Sequence, residues 1–348
     1  MGAGIAQLAL ENGHEVVLND VDEAAIERGH VRIREGLARR AARLDLDGDS
    51  IEDWVSGRLA GLRDAITLDA VGAEAEVVFE AAIEDLELKQ TIVRALDASA
   101  APDVILATNT SALSVTAIAR AAEHPERVIG LHFFNPAPVM PLVEVVVPGG
   151  ASEAVVDRAV RLMESWGKTT VRCTDTPGFI VNRVNRPFTL EALRMLESGH
   201  ASIETIDEAV RAGGFPMGPF ELMDFIGLDV NLAAAVAVWD GLGRPDRLRP
   251  SQIQRELVAA GDLGRKTGRG FYVYDQGART PNPELVPTDV PPRSDPVGAG
   301  TIVEAIRAKI DAEASLAVED GVATLADIGL ALNLGAGHPP RAAGTQDA

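Results

Sequence analysis

Two residues stand out for acid–base chemistry. His132 ends the apolar run 128–132, and Glu144 lies in the next apolar run, 143–147. A histidine backed by a carboxylate is an acid–base pair: the carboxylate fixes the tautomer and favours the imidazolium. Neighbouring strands of a doubly wound sheet bring their carboxyl ends to one crevice, and the two residues are expected to meet there. The plainer reading of a lone strand histidine is a satisfied core residue, which the carboxylate argues against. Ser111 follows a third run, 104–108, again at its carboxyl end. Its hydroxyl is placed to bond a substrate oxygen or a cofactor. The competing role, capping the helix that begins near Val115, suits Ser114 better.

A second constellation opens the chain. Met1-Gly-Ala-Gly-Ile-Ala-Gln7 leads into a helix and then a strand, 14–20, that ends in Asp20, 18 residues after Gly2. An acid about 20 residues past a glycine turn is where a Rossmann fold holds ribose hydroxyls. A carboxylate there repels a 2′-phosphate, so the pattern favours NAD over NADP. The plainer reading is a surface helix followed by a strand-end aspartate. The usual fingerprint begins with a strand and two earlier glycines. Here the chain starts at what corresponds to the last glycine, so the innermost strand would have to precede Met1.

The elements that must hold these residues alternate. Strands are expected at 14–20, 76–81, 104–108, 128–132, 143–147 and 169–173, apolar on both faces as buried parallel strands are. Helices are expected at 23–44, 86–96, 115–122 and 153–165. This alternation predicts an α/β fold, a Rossmann-type doubly wound parallel sheet. More than 50 residues separate the first two strands. They read as a helical hairpin inserted into the domain and projecting from it. Arg28, Arg32, Arg34, Arg39, Arg40 and Arg43 lie on it, with Arg32, Arg39 and Arg43 on one face by spacing. A basic stripe of this kind is either a place for a polyanionic ligand or a solvated helix pairing with Glu27 and Glu35; both readings stay open.

Asp175-Thr-Pro-Gly178 punctuates the chain. Helices follow at 179–199, 203–212, 219–228 and 251–260, then a glycine-rich loop, 264–270. Residues 276–298 are rich in proline and aspartate, a linker by composition. Beyond it the chain repeats itself. At an offset of 122, residues 191–213 and 313–335 share eight of 23 positions, Glu191/Glu313, Gly199/Gly321 and Gly213/Gly335 among them. The expected organisation is therefore a dinucleotide-binding domain over 1–175, an all-α domain over 176–275, a linker over 276–298 and a partial second copy of the helical domain over 299–341.

The 348 residues suffice for two domains, and the net charge of −20 argues against a general nucleic-acid or anionic-membrane binder. A single cysteine, Cys173, excludes an internal disulfide and a cysteine-built metal site, and fits a cytoplasmic setting. The remaining histidines have no metal-like spacing, and no window is apolar enough to span a membrane.

Several motifs occur together and in order over residues 1 to about 275: Asn109-Thr-Ser111, Leu131-His-Phe-Phe-Asn-Pro136, Pro141-Leu-Val-Glu144, Asp175-Thr-Pro-Gly-Phe-Ile-Val-Asn-Arg183, Phe215-Pro-Met-Gly-Pro-Phe-Glu-Leu-Met-Asp224 and Gly264-Arg-Lys-Thr-Gly-Arg-Gly-Phe-Tyr272. With them the sequence resembles the L-3-hydroxyacyl-CoA dehydrogenase family, close to the 3-hydroxybutyryl-CoA dehydrogenases. The resemblance implies NAD-dependent, reversible oxidation of a 3-hydroxyacyl-CoA in fatty-acid β-oxidation or short-chain acyl-CoA metabolism. It assigns His132 as base, Glu144 as its orienter, and Ser111 and Asn182 to the substrate. It places Gly2, Asp20, Glu84, Lys89, Asn109, Asn135 and Lys266 at the cofactor, Arg43 at the CoA nucleotide, and a homodimer contact on the α-helical domain. The family's serine near Arg43 is Gly36 in this chain. Two other readings remain: a related dehydrogenase of carnitine or gulonate type, which would be expected to lose the His-Phe-Phe-Asn-Pro run, and a non-catalytic oligomeric remnant.

Overall fold

The computed structural model describes residues 1–44, 46–285 and 298–340. The chain divides into two compact units, Met1–Asp175 and Thr176–Ala348.

The first unit starts with helix α1 (Gly2–Glu11) and strand β1 (Val16–Leu18). Asp22 caps α2 (Glu23–Ala41) by accepting the Ala25 N–H. Ile26, Ile33, Leu37 and Ala41 form the buried stripe of α2, at helical spacing. Helix α3 (Gly48–Leu59) follows, and then β2 (Leu62–Asp64), which pairs parallel with β1. The helical hairpin is thus the crossover of a parallel unit. It does not stand off the domain: α1, α2 and α3 share a core of Ala6, Leu10, Ile33, Leu37 and Val55.

After α4 (Leu68–Glu74) comes the main sheet: β3 (Val77–Glu80), β4 (Ile105–Thr108), β5 (Val128–Phe133), β6 (Leu142–Val147) and β7 (Thr169–Thr174), in that order. Helices α5 (Leu86–Ser99) and α6 (Val115–Ala119) make the crossovers that keep β3, β4 and β5 parallel. The next connection differs. β6 runs antiparallel to β5, and after α7 (Glu153–Ser165) β7 runs parallel to β6. The expected all-parallel sheet is corrected here, and the reason is length. Only residues 134–141 join β5 to β6, too few for a parallel crossover. The sheet is also divided. Among the described residues β1 pairs with β2 alone and β3 with β4 alone, and α1 packs against both β1 and β3. Gly130 has a packing reason: a Cβ there would lie 2.7 Å from Cβ of its cross-strand partner Val146.

The second unit is helical. Its elements are α8 (Val181–Val184), α9 (Arg186–Glu197), α10 (Ile203–Ala212), α11 (Pro219–Ile226), α12 (Leu228–Gly241) and α13 (Gln252–Ala260). The stretch expected as one helix over 179–199 is two helices, and α12 was not anticipated. Its alanine-rich sequence carries no polar face to set a period, and Gly227, at φ 102°, breaks it from α11. Strands β8 (Tyr272–Asp275) and β9 (Ala278–Pro281) form a hairpin, so the unit is not purely α. That hairpin and the turn at Pro283–Leu285 occupy residues expected to be linker. Residues 286–297, the rest of that linker, lie outside the described residues.

The repeat is matched in the structure. α14 (Ala299–Glu319) and α15 (Leu325–Ala336) are joined as α9 and α10 are. Gly199 and Gly321 take φ of 64° and 69°, a left-handed stop that favours glycine. Ser202 and Thr324 then cap the second helix of each copy. α14 packs on α9 and α10, and α15 on α8. A buried ion pair seals this contact: Arg183 Nε donates to Glu313 Oε1 at 2.9 Å, both side chains being 1% exposed. Arg183 also reaches Asp320, and Arg247 reaches Glu313 at 2.6 Å.

Removing one partner of a buried pair leaves the other charge uncompensated. Glu313→Ala is expected to destabilise the helical unit by about 3 kcal/mol, a fall of roughly 6–12 °C in its thermal midpoint, read by calorimetry. A pH effect follows from His338, which packs on Phe188 and Phe215 and bonds Asn185 at 2.7 Å. Burial, aided by Arg307, pushes its imidazole down to about 4. The folded chain holds it neutral while the unfolded chain protonates it near the ordinary value, so stability is present above that value and is lost as pH falls towards the folded one. Denaturant midpoints of the wild type should drop over this window, and His338→Asn should flatten the slope.

Candidate active site

His132 and Glu144 are register partners on β5 and β6. The antiparallel pairing sets a residue near the carboxyl end of one strand against one near the amino end of the next. This, and not a shared carboxyl edge, is what brings them together. His132 Nδ1 lies 2.6 Å from Glu144 Oε2, with exposures of 4% and 0%. In the tautomer whose Nδ1–H donates to the Glu144 carboxylate, Nε2 is left with the free lone pair. Nε2 lies 3.1 Å from Ser111 Oγ. Phe134 lies against the imidazole, ring centroids 4.7 Å apart. Three expected residues, Glu144, His132 and Ser111, are therefore assembled in the first unit as a carboxylate, an imidazole and a hydroxyl in line. His132 is buried with both ring nitrogens bonded, as a satisfied core histidine also would be; what sets it apart is that one of its partners is the exposed Ser111.

The loop carrying Ser111 runs from β4 to α6. Asn109 Oδ1 accepts the Phe133 N–H at 2.8 Å, so Asn109 ties this loop to β5. Glu84 Oε1 accepts from Thr110 Oγ1 at 2.6 Å and from the Ser111 and Ala112 N–H groups at 2.9 Å each. Burial opposes the Glu84 charge, but these bonds and Lys89 outweigh it and hold the carboxyl below its ordinary value. Ser114 caps α6, and its hydroxyl donates to Asp175 Oδ2 at 2.7 Å. Asp175 also accepts the Val115 and Thr116 N–H groups.

Lys89 is not presented to a ligand. It is 1% exposed, and its ammonium donates to both oxygens of Glu80, at 2.8 and 3.0 Å, and to the Ala82 carbonyl. Its link to the site surface is Glu84, 3.7 Å away. Glu80, which also accepts the Thr108 hydroxyl at 2.6 Å, was not foreseen. Its signal was present: it ends β3 in register with Thr108, at the same sheet edge as His132.

Of the residues expected at a dinucleotide, Gly2 and Asp20 have the chemistry to meet one. Helix α1 begins at Gly2 with no side chain capping its first N–H groups and no acid in its first turn, which suits a pyrophosphate. Asp20 is exposed just past β1, where its carboxylate accepts the Val21 N–H. Asn135 is exposed beyond β5. Arg43 is exposed in the turn after α2, so the stripe is not continued by the helix itself. Arg39 pairs with Glu35, Arg34 with Glu52 and Arg40 with Glu11, whereas Arg32 and Arg43 have no ion-pair partner among the described residues. Asn182 and Lys266 belong to the second unit. Asn182 lies in α8, and Lys266 is bound to Asp229 at 2.5 and 2.7 Å.

Comparison with known proteins bears on the whole arrangement. Residues 1–176 match the 3-hydroxyacyl-CoA dehydrogenase NAD binding domain, and residues 178–274 match the 3-hydroxyacyl-CoA dehydrogenase C-terminal domain. A 3-hydroxyadipyl-CoA dehydrogenase of Escherichia coli K12 is 47% identical over 273 residues, 78% of this chain and 56% of that protein. The chain thus spans little more than half the length of that relative. The human mitochondrial hydroxyacyl-coenzyme A dehydrogenase is 41% identical over 277 residues, 79% of this chain and 88% of its own. The crystal structure of a 3-hydroxybutyryl-CoA dehydrogenase from Escherichia coli K12 superposes with a TM-score of 0.86 at 35% identity, covering 96% of this chain and 86% of that one. With both domain patterns matched along three-quarters of its length, the chain belongs to the 3-hydroxyacyl-CoA dehydrogenase family and carries that family's NAD-binding domain.

Proposed function

We propose that the protein oxidises (S)-3-hydroxyacyl-CoA to 3-oxoacyl-CoA, reversibly, with His132 as general base, in fatty-acid β-oxidation or short-chain acyl-CoA metabolism. The observation that carries this reading is the line Glu144–His132–Ser111, with contacts of 2.6 and 3.1 Å. NAD⁺, when bound, supplies the hydride acceptor. The balance is an alcohol C–H leaving as hydride and the O–H leaving as a proton, to give a ketone, NADH and H⁺.

The residues divide the work. His132 Nε2 takes the hydroxyl proton; in the reverse direction the imidazolium returns it to the forming alkoxide. Glu144, fully buried, opposes the imidazolium charge where water does not screen it. Ser111 Oγ holds the 3-oxygen beside Nε2, and Asn182 is assigned to the same substrate. Arg43 and Arg32, exposed and without an ion-pair partner among the described residues, offer guanidinium groups for the phosphates of CoA.

His132→Gln keeps a polar side chain but no base. It should lower the rate of acetoacetyl-CoA-dependent NADH oxidation by about 10²–10⁴-fold. A nearly unchanged rate would remove His132 from the mechanism. The CoA assignment is tested separately. Arg43→Ala should raise the KM for acetoacetyl-CoA roughly two- to fivefold, as expected for an exposed charge, with kcat unchanged. A truncated thioester lacking the nucleotide should not register that substitution.

A further inference from the structure

Ser111 is exposed, on a loop, and yet must keep its hydroxyl in line with His132. Loops are the mobile parts of a fold, and a displacement of about 1 Å at a reacting group can cost a hundredfold in rate. Within the segment 109–116, Asn109 ties the start of the loop to the Phe133 N–H and Thr110 Oγ1 accepts the Leu113 N–H, but these two bonds do not span the whole loop. Two carboxylates from elsewhere in the first unit do. Glu84, 26–28 residues earlier, takes the donors of Thr110, Ser111 and Ala112 on one oxygen. Asp175, 59–61 residues later, takes those of Ser114, Val115 and Thr116.

We infer that Glu84 and Asp175 form a two-sided clamp that positions Ser111 against His132. The proposal rests on the dehydrogenase reading above and deepens it. It gives Glu84 a role beyond the cofactor contact implied by resemblance, and it gives the Asp-Thr-Pro-Gly motif a task beyond ending a domain. The bonding pattern supports a clamp over a simple ligand contact. Glu84 Oε1 is shared by three donors of one loop, and charge-assisted bonds of this kind are about twice as strong as neutral ones. Lys89, anchored by Glu80, faces the second oxygen at 3.7 Å and adds to the three loop bonds in holding the carboxyl below its ordinary value. Asp175 is the last residue of its unit, so the segment leading into the helical unit is tied to the same loop. Both are positioning residues: they act through Ser111.

The test has two independent readouts on the full chain. The first needs no turnover. Hydrogen exchange of the peptide covering 109–116 should quicken at least tenfold in Glu84→Ala and in Asp175→Ala, with global protection unchanged. The second is a double-mutant cycle with acetoacetyl-CoA and NADH. Glu84→Ala should lower kcat about tenfold or more while the Kd for NADH, read by fluorescence, moves less than threefold. On a Ser111→Ala background the same substitution should cost less than twofold, because the residue it acts through is already gone. Glu84→Gln, which keeps an acceptor oxygen, should recover part of kcat. Unchanged loop exchange overturns the clamp. So does an equal further loss on the Ser111→Ala background, or a tenfold loss of NADH affinity with kcat intact. If Glu84→Ala does not fold, Asp175→Ala carries the same cycle from the other end. A wild-type protein that does not turn over acetoacetyl-CoA overturns the dehydrogenase reading instead, and the exchange data then judge the clamp alone.

Discussion

The bond between His132 and Glu144 is the constraint around which the first unit is organised. Two ionisable groups are placed inside a sheet, where burial of a charge is costly unless it is paired. The pairing is met by reversing strand direction. Had β6 followed a helical crossover and run parallel, Glu144 would not lie opposite His132 in register. The short connection 134–141 forces the reversal, Gly130 admits the close approach of Val146 two residues before His132, and the sheet then presents one nitrogen of the imidazole outward. The position and orientation of the imidazole follow from strand register.

A second layer of charge supports the first. Glu80 with Lys89, and Glu84 and Asp175 on the β4–α6 loop, use carboxylates to collect backbone and hydroxyl donors that would otherwise look to water. A protein of net charge −20 has acids in excess, and here some of that excess serves as internal scaffolding.

Much of this was legible in the residues, and the failures have physical causes. The runs 104–108, 128–132 and 143–147 announce buried strands because apolar β-branched residues fill both faces. β2 was missed because its three residues, Leu62–Asp64, are mostly charged and exposed, and only its pairing with β1 makes it a strand. The reversal at β6 could have been inferred by counting the connection, since eight residues cannot hold a crossover helix. The triad was readable by residue type and by motif. The clamp was not, because Glu84 and Asp175 read as ordinary loop acids until folding brings their six donors to them. Lys89 shows the converse: a motif position that suggests a ligand contact proves to be a core cation.

The helical unit carries a consequence for the order of synthesis. Arg183 is buried early in that unit, yet its buried counter-charge, Glu313, is 130 residues further on. A ribosome adding about 5–20 residues per second needs roughly 7–26 s to cover that distance. Through that interval a guanidinium meant for the interior has no carboxylate to meet it, so α8 cannot settle in its final place. The unit is therefore not built outward from its first helices. It waits for the repeat, and the helix bearing Asn182 becomes fixed only once Glu313 has emerged.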